Sequence, residues 1–192
     1  MSNVVDPNKF AHCYGTNKLD HFIEEQRLFQ PQAALDYSSG KKSDHFMWCF
    51  FPLLKGMGYS EMHRKFDIQC LNHAIEYIQN DTLLDNYFEL TDILYTQVAA
   101  RQKDLAELCE HGSVEVLKIR SSLSLFSIAI EEILATRVGV IDQKIEDKRE
   151  RLRQLKEYNI DKLIGLLGGQ RCNQVVNSVY LHSTSGSPGK QR

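Results

Sequence analysis

Between Asp67 and Leu94 apolar residues recur at every third or fourth position, and this spacing constrains the fold more than any other stretch of the chain. Ile68, Leu71, Ala74, Ile75 and Ile78 fall on one face of a helix over 67–79. Asp81 or Thr82 is placed to cap a second helix, in which Leu83, Leu84, Tyr87, Leu90, Ile93 and Leu94 keep the period. Two such stripes need apolar partners, and the rest of the chain offers helices. Residues 18–29 put Leu19, Phe22, Ile23 and Phe29 largely on one face, with Asn17 as candidate N-cap and Pro31 as a stop. A short helix over 32–39 would end at Gly40, and another short segment runs from Lys103 to Cys109. The stretch 114–134, VEVLKIRSSLSLFSIAIEEIL, begins with β-branched residues that read locally as a strand, but its length and flanks favour a buried helix. The expected class is all-α.

The last third changes character. Eleven of the sixteen residues from Asp142 to Glu157 are charged, five acidic and six basic. Leu134, Val138, Ile141, Ile145, Leu152 and Leu155 nonetheless form an a/d-type seam, interrupted by Lys148. A charged helical arm with a narrow apolar stripe is expected over 134–168, supported by the pairs Asp147–Arg151, Glu146–Arg149 and Glu150–Arg153. The 192 residues thus divide into a lead (1–16), a compact multi-helix domain (17–133), this arm, and a polar tail expected to be disordered (169–192).

Charge excludes some partners. The net charge of −2, with basic residues in the arm alternating with acidic ones, argues against nucleic acid. No run of about 18 apolar residues is present to span a membrane, and MSNVVDPNKF lacks a secretory layout. Five cysteines at wide spacing (Cys13, Cys49, Cys70, Cys109 and Cys172), with no CxxC pair, fit a reducing cytoplasm better than a disulfide framework, and no metal is expected.

The densest segment is SGKKSDHFMWCFFPLLKGMGYSEM, residues 39–62. Gly40, Lys41, Lys42, His45, Met47, Trp48, Phe51, Pro52, Gly56 or Gly58, and Ser60 follow one another at the spacing G-[RK]-K-x-x-H-x-M-W-x-x-F-P-x-x-x-G-x-G-x-S. Lys118, Ser121, Ser122, Leu125 and Phe126 supply a second block, K-x-x-S-S-x-x-L-F, and FDIQCLNHAIEYI lies between the two. With these motifs, residues 17–130 resemble the uncharacterised domain-of-unknown-function 1810 family. The chain departs from that pattern at Leu53, where a glutamine is common, at Phe66, where a tyrosine stands, and at Glu115–Val116, where an acidic pair precedes the lysine. The resemblance implies no activity.

The chemistry must therefore come from the residues. His45 and Trp48, at i and i+3, share a face if the turn is helical, and His45 is the candidate acid–base group. Met47, Phe50 and Phe51 read as core, and Trp48 reads either as core or as a wall for a planar ligand. Lys118 sits in a nearly apolar stretch, where it either binds an anion beside the Ser121 and Ser122 hydroxyls or pairs structurally with Glu115. Gly56 and Gly58 are too little for a nucleotide loop. No Ser-His-Asp order, HExxH or paired carboxylate assigns a reaction, a catalytic set or a cofactor. The expected site joins His45, Trp48, Ser60, Lys118, Ser121 and Ser122, between blocks 40–62 and 115–126, around a small anionic ligand such as a nucleotide or phosphorylated metabolite. The alternative is a non-enzymatic interaction module that associates with itself or a partner through 134–167.

Overall fold

A computed structural model describes residues 19–40, 46–109, 112–136 and 142–184. The helices are α1 (Asp20–Ser39), α2 (Met47–Phe50), α3 (Glu61–Lys65), α4 (Leu71–Gln79), α5 (Asp81–Tyr95), α6 (Leu105–Leu108), α7 (Ser113–Ala135), α8 (Gln143–Gln154), α9 (Asp161–Leu166) and α10 (Asn173–Thr184). π-Helical turns extend α5 over Thr96–Ala100 and join α8 to α9 over Leu155–Ile160. The all-α expectation holds: among the described residues the only β-type pairing is an isolated parallel bridge between Leu54 and Ile68.

α7 is the central helix. Every residue from Ser121 to Ile130 is buried, because α4, α6, α8, α9 and α10 surround it. Its serines are tolerated there by bonding back to their own helix: Ser121 Oγ donates to the Leu117 carbonyl (2.9 Å) and Ser124 Oγ to that of Arg120 (2.7 Å). α4 packs on α7 and α5 on α1, so both sequence stripes face the core. Asn80 caps α5, its side chain accepting from the Leu83 N–H (3.2 Å). Phe126 stacks at a tilt between Tyr77 and Tyr87, with centroids 4.9 and 4.7 Å away.

α1 runs through Pro31 instead of stopping before it. The ring is exposed, so the carbonyl it deprives of a partner faces water. Phe22 and Gln26 before the proline, and Ala33 and Tyr37 after it, are all buried, and that packing outweighs the local break. The helix ends at Gly40, whose φ of 72° is left-handed.

Residues 143–166 form a continuous helical run laid along α5 and α7. Leu152 and Leu155 of the expected seam are buried there, whereas Ile145 is exposed and Val138 and Ile141 fall outside the described residues. Charges fasten the run: Lys148 pairs with Asp81 (2.6 Å) and Arg151 with Asp85 (2.5 Å), while Arg149 donates to the Ile133 and Leu134 carbonyls at the end of α7. Glu146–Arg149 and Glu150–Arg153 form as expected, but Arg151 is drawn to α5. Within the segment 169–192, expected to be disordered, 185–192 lie outside the described residues and α10 occupies Asn173–Thr184 with Val175 and Val179 buried. Arg171 secures its start, donating to Glu131 and to Ser127 Oγ (2.9 Å) on α7.

Candidate functional site

The backbone closes a loop between α2 and α4. The Ile68 N–H donates to the Leu53 carbonyl (2.8 Å), and the Lys55 N–H donates to that of Ile68 (2.9 Å). This neck presents Gly56, Gly58, Ser60 and α3 together. Ser60, in extended backbone, caps α3: its Oγ accepts from the His63 N–H (3.2 Å) and lies 2.6 Å from His63 Nδ1. Those two bonds fix the imidazole. The ring lies against Gly58, where a Cβ would come within 2.5–2.9 Å of His63 Cβ, Cγ and Cδ2. The last glycine of the G-x-G-x-S run is therefore a seat for an imidazole, not part of a phosphate loop.

Burial is the main cause that holds His63 below its ordinary value, and the charge of Lys118, on α7, adds to it. Lys118 is half-buried and forms no ion pair among the described residues. The other local cations are turned elsewhere. Arg64 donates to the Tyr59 carbonyl (3.0 Å), and Lys55 and Arg64 both act on Asp67, whose carboxyl is nevertheless pushed up by burial.

Gly58→Ala is expected to unseat the ring. Nuclear magnetic resonance titration of the full chain should then find His63 shifted upward, toward an ordinary imidazole, with its hydrogen bond to Ser60 broken. An unchanged His63 titration would show that the glycine is not its seat.

The other described sequence candidates make different contacts. Trp48 is half-buried, tilted against Phe66 at 4.9 Å and edge-on to Phe29 at 6.3 Å, a packing role. The Ser122 hydroxyl is in the core, 3.4 Å from that of Tyr87. Ser121 faces the start of α10, where its Oγ is 3.4 Å from Cys172 Sγ. His45, with Lys41 and Lys42, lies outside the described residues. One turn before Lys118, Glu115 is buried and its charge acts on the Tyr37 phenol. That hydroxyl is buried without a hydrogen-bond partner among the described residues, and burial, then Cys109 and Glu115, push it well up. Among the described residues no group of three or more His, Cys, Asp or Glu is disposed to hold a metal ion, and no helix is long and apolar enough to cross a membrane.

His63 is the residue that the sequence pattern did not single out. Its signal is the spacing S-x-x-H directly after G-x-G, which puts an imidazole over a capping serine. Ser60 and His63 hold a hydroxyl and an imidazole together, and the Lys118 charge acts on the ring; groups of this kind can hold an anion and exchange a proton.

Residues 16–159 match the family described as protein of unknown function (DUF1810). The match runs past residue 130, where the motif resemblance ends, and takes in α8 and nearly all of the π-helical turn after it. Among curated proteins none matches the chain. In structure it is similar to the conserved hypothetical protein Rv1873 from Mycobacterium tuberculosis, with 25% identity and a TM-score of 0.61, over 84% of this chain and 96% of that one. The matched span contains both motif blocks, α3 and α7, and on it the protein belongs to the DUF1810 family.

Proposed function

We propose that the protein binds a small anionic ligand, a nucleotide or phosphorylated metabolite, where α3 meets α7, through Lys118, His63 and Ser60. The observation that carries this is a half-buried Lys118 whose charge acts on the His63 imidazole and which has no carboxylate paired to it among the described residues. A cation in that setting lacks the counter-charge that folded proteins ordinarily give it, and an anion supplies one. Of the residues singled out in the sequence, Ser60 is hydrogen-bonded to His63 and the Lys118 charge acts on that ring. His45 stays a candidate on its motif position alone.

Inorganic phosphate, the smallest probe with the right chemistry, tests the proposal by isothermal titration calorimetry. Lys118→Ala should bind it about tenfold or more weakly, the cost of removing one charged hydrogen bond. Ser122→Ala, altered in the core, should bind it as the unaltered chain does. Equal binding by Lys118→Ala and the unaltered chain would remove the site.

A further inference from the structure

α10 lies beyond the span that matches the family, which ends at residue 159. Its seat on α7 is built differently from the aromatic core. Three serines, one turn apart, face the start of the helix. The Cys172 N–H donates to Ser124 Oγ (2.8 Å), Ser121 Oγ stands 3.4 Å from Cys172 Sγ, and Ser127 Oγ accepts from Arg171 (2.9 Å). A hydroxyl that loses a protein partner takes up water, so wetting this seat costs far less than wetting the face where Tyr77 meets Phe126. α10 also brings little apolar surface to it. Of residues 173–180 only Val175 and Val179 are buried, whereas the nine residues of α4 bury five.

Strong polar bonds gather where the chain enters α10. The Arg171 guanidinium donates to both carboxylate oxygens of Glu131 as well as to Ser127, and Arg120 donates twice to the Gln170 carbonyl (2.9 and 2.6 Å). Lys156 bridges the same Glu131 (3.2 Å) to Asp161 (2.6 Å). Just before these bonds the chain turns through Gly168 and Gly169, with φ of 108° and 74°, values open to glycine and strained for other residues. Both glycines are exposed. A Cβ would meet nothing within 4 Å at Gly169, and at Gly168 only the Arg120 guanidinium, 4.0 Å away. The turn is therefore free of close packing, as a hinge must be.

We propose that α10 is a hinged strap: it swings off α7 as a unit about Gly168–Gly169 while the helices up to α9 stay folded, with Arg171 as the latch. α9 does not follow, because Leu163 and Ile164 are held in the core. Opening does not strand Glu131, because Lys156 stays paired with it. An open strap bares the hydroxyls of Ser121, Ser124 and Ser127. Ser121 belongs to the second motif block, so the strap governs access to that face of α7.

Hydrogen exchange of the full chain, read by mass spectrometry, tests the strap. In the unaltered chain, peptides covering α10 should be at least about tenfold less protected than those covering α4 and the middle of α7, because a partial opening is more frequent than global unfolding. That comparison needs no variant to fold. Arg171→Ala should lower the protection of α10 by about a further tenfold, the effect of losing one charged hydrogen-bonded pair, with α4 and α5 unchanged. Gly169→Ala strains the closed turn alone and should lower the protection of α10 about fivefold. Equal protection of α10 and α4 in the unaltered chain would mean that α10 leaves only when the whole fold does, and overturns the strap. Arg171→Ala that leaves α10 unchanged, or exposes α4 and α10 alike, overturns the latch. Full protection of α10 in Gly169→Ala overturns the hinge.

Discussion

Replacing Gln26 with alanine is expected to lower the free energy of unfolding by about 3–4 kcal/mol, the sum of a cavity and of buried groups left without partners. Gln26 is fully buried on α1 and connects three other helices. Its Nε2 donates to the Cys49 carbonyl at the end of α2 (2.6 Å) and to the Tyr77 hydroxyl on α4 (2.7 Å), and its Oε1 accepts from Asn86 Nδ2 on α5 (2.9 Å). Alanine leaves the Tyr77 hydroxyl and the Cys49 carbonyl only the long hydrogen bond between themselves, at 3.4 Å. Asn86 is half-exposed and regains water, so the loss concentrates on two buried groups. Urea unfolding of the unaltered and Gln26→Ala chains measures the difference. Tyr77→Phe, which removes one arm of the network and keeps the ring, should cost clearly less. A change below about 1 kcal/mol for Gln26→Ala would mean that water replaces the amide at little cost.

Acid should weaken the fold well before its carboxylates are protonated. His73 is buried at the start of α4, edge-on to Phe22, with Nδ1 accepting from the Gln69 N–H (3.1 Å). Nδ1 is thus occupied as an acceptor, and Nε2 is buried with no partner among the described residues. Burial, and after it His21, lower this imidazole from 6.5 to about 4. Between those values the unfolded chain binds a proton that the native chain refuses, so this contribution to stability is complete above about pH 6.5 and is lost as pH falls toward 4. The full shift corresponds to about 3 kcal/mol. His63, also lowered, acts in the same direction but is more exposed and contributes less. Urea unfolding at about pH 7 and at about pH 4.5 reads the loss. His73→Asn, whose amide oxygen can still accept the Gln69 N–H, should be much less sensitive over that range. Equal acid sensitivity of His73→Asn and the unaltered chain would assign the effect to other groups.

The sequence was most legible where structure is local. The stripes over 67–94 became α4 and α5 with their apolar faces inward, and Phe126 of the second motif block became a core ring. It misled where a local signal met a stronger distant one. Pro31 ends a helix by its own chemistry, yet α1 continues because residues on both sides of it are held by the core. The apolar seam over 134–155 suits a partner helix, and within this chain α5 and α7 bury Leu152 and Leu155. Arg171 and the buried valines of α10 likewise order residues 173–184, part of a segment that composition marks as loose.

The candidate site divides along the same line. Lys118 and Ser60 stand out in the sequence, since a lysine in an apolar stretch and a serine after two glycines are local anomalies. That Trp48 is held between Phe29 and Phe66, and that the Ser122 hydroxyl meets Tyr87, depends on which faces pack together. Helical periodicity is a property of neighbours in the chain, so the sequence by itself determined the helical class, most of the core and the family. The packing of α7 among its neighbours and the closing of the loop at Leu54 and Ile68 join residues that are not neighbours in the chain, and only the tertiary structure decided them.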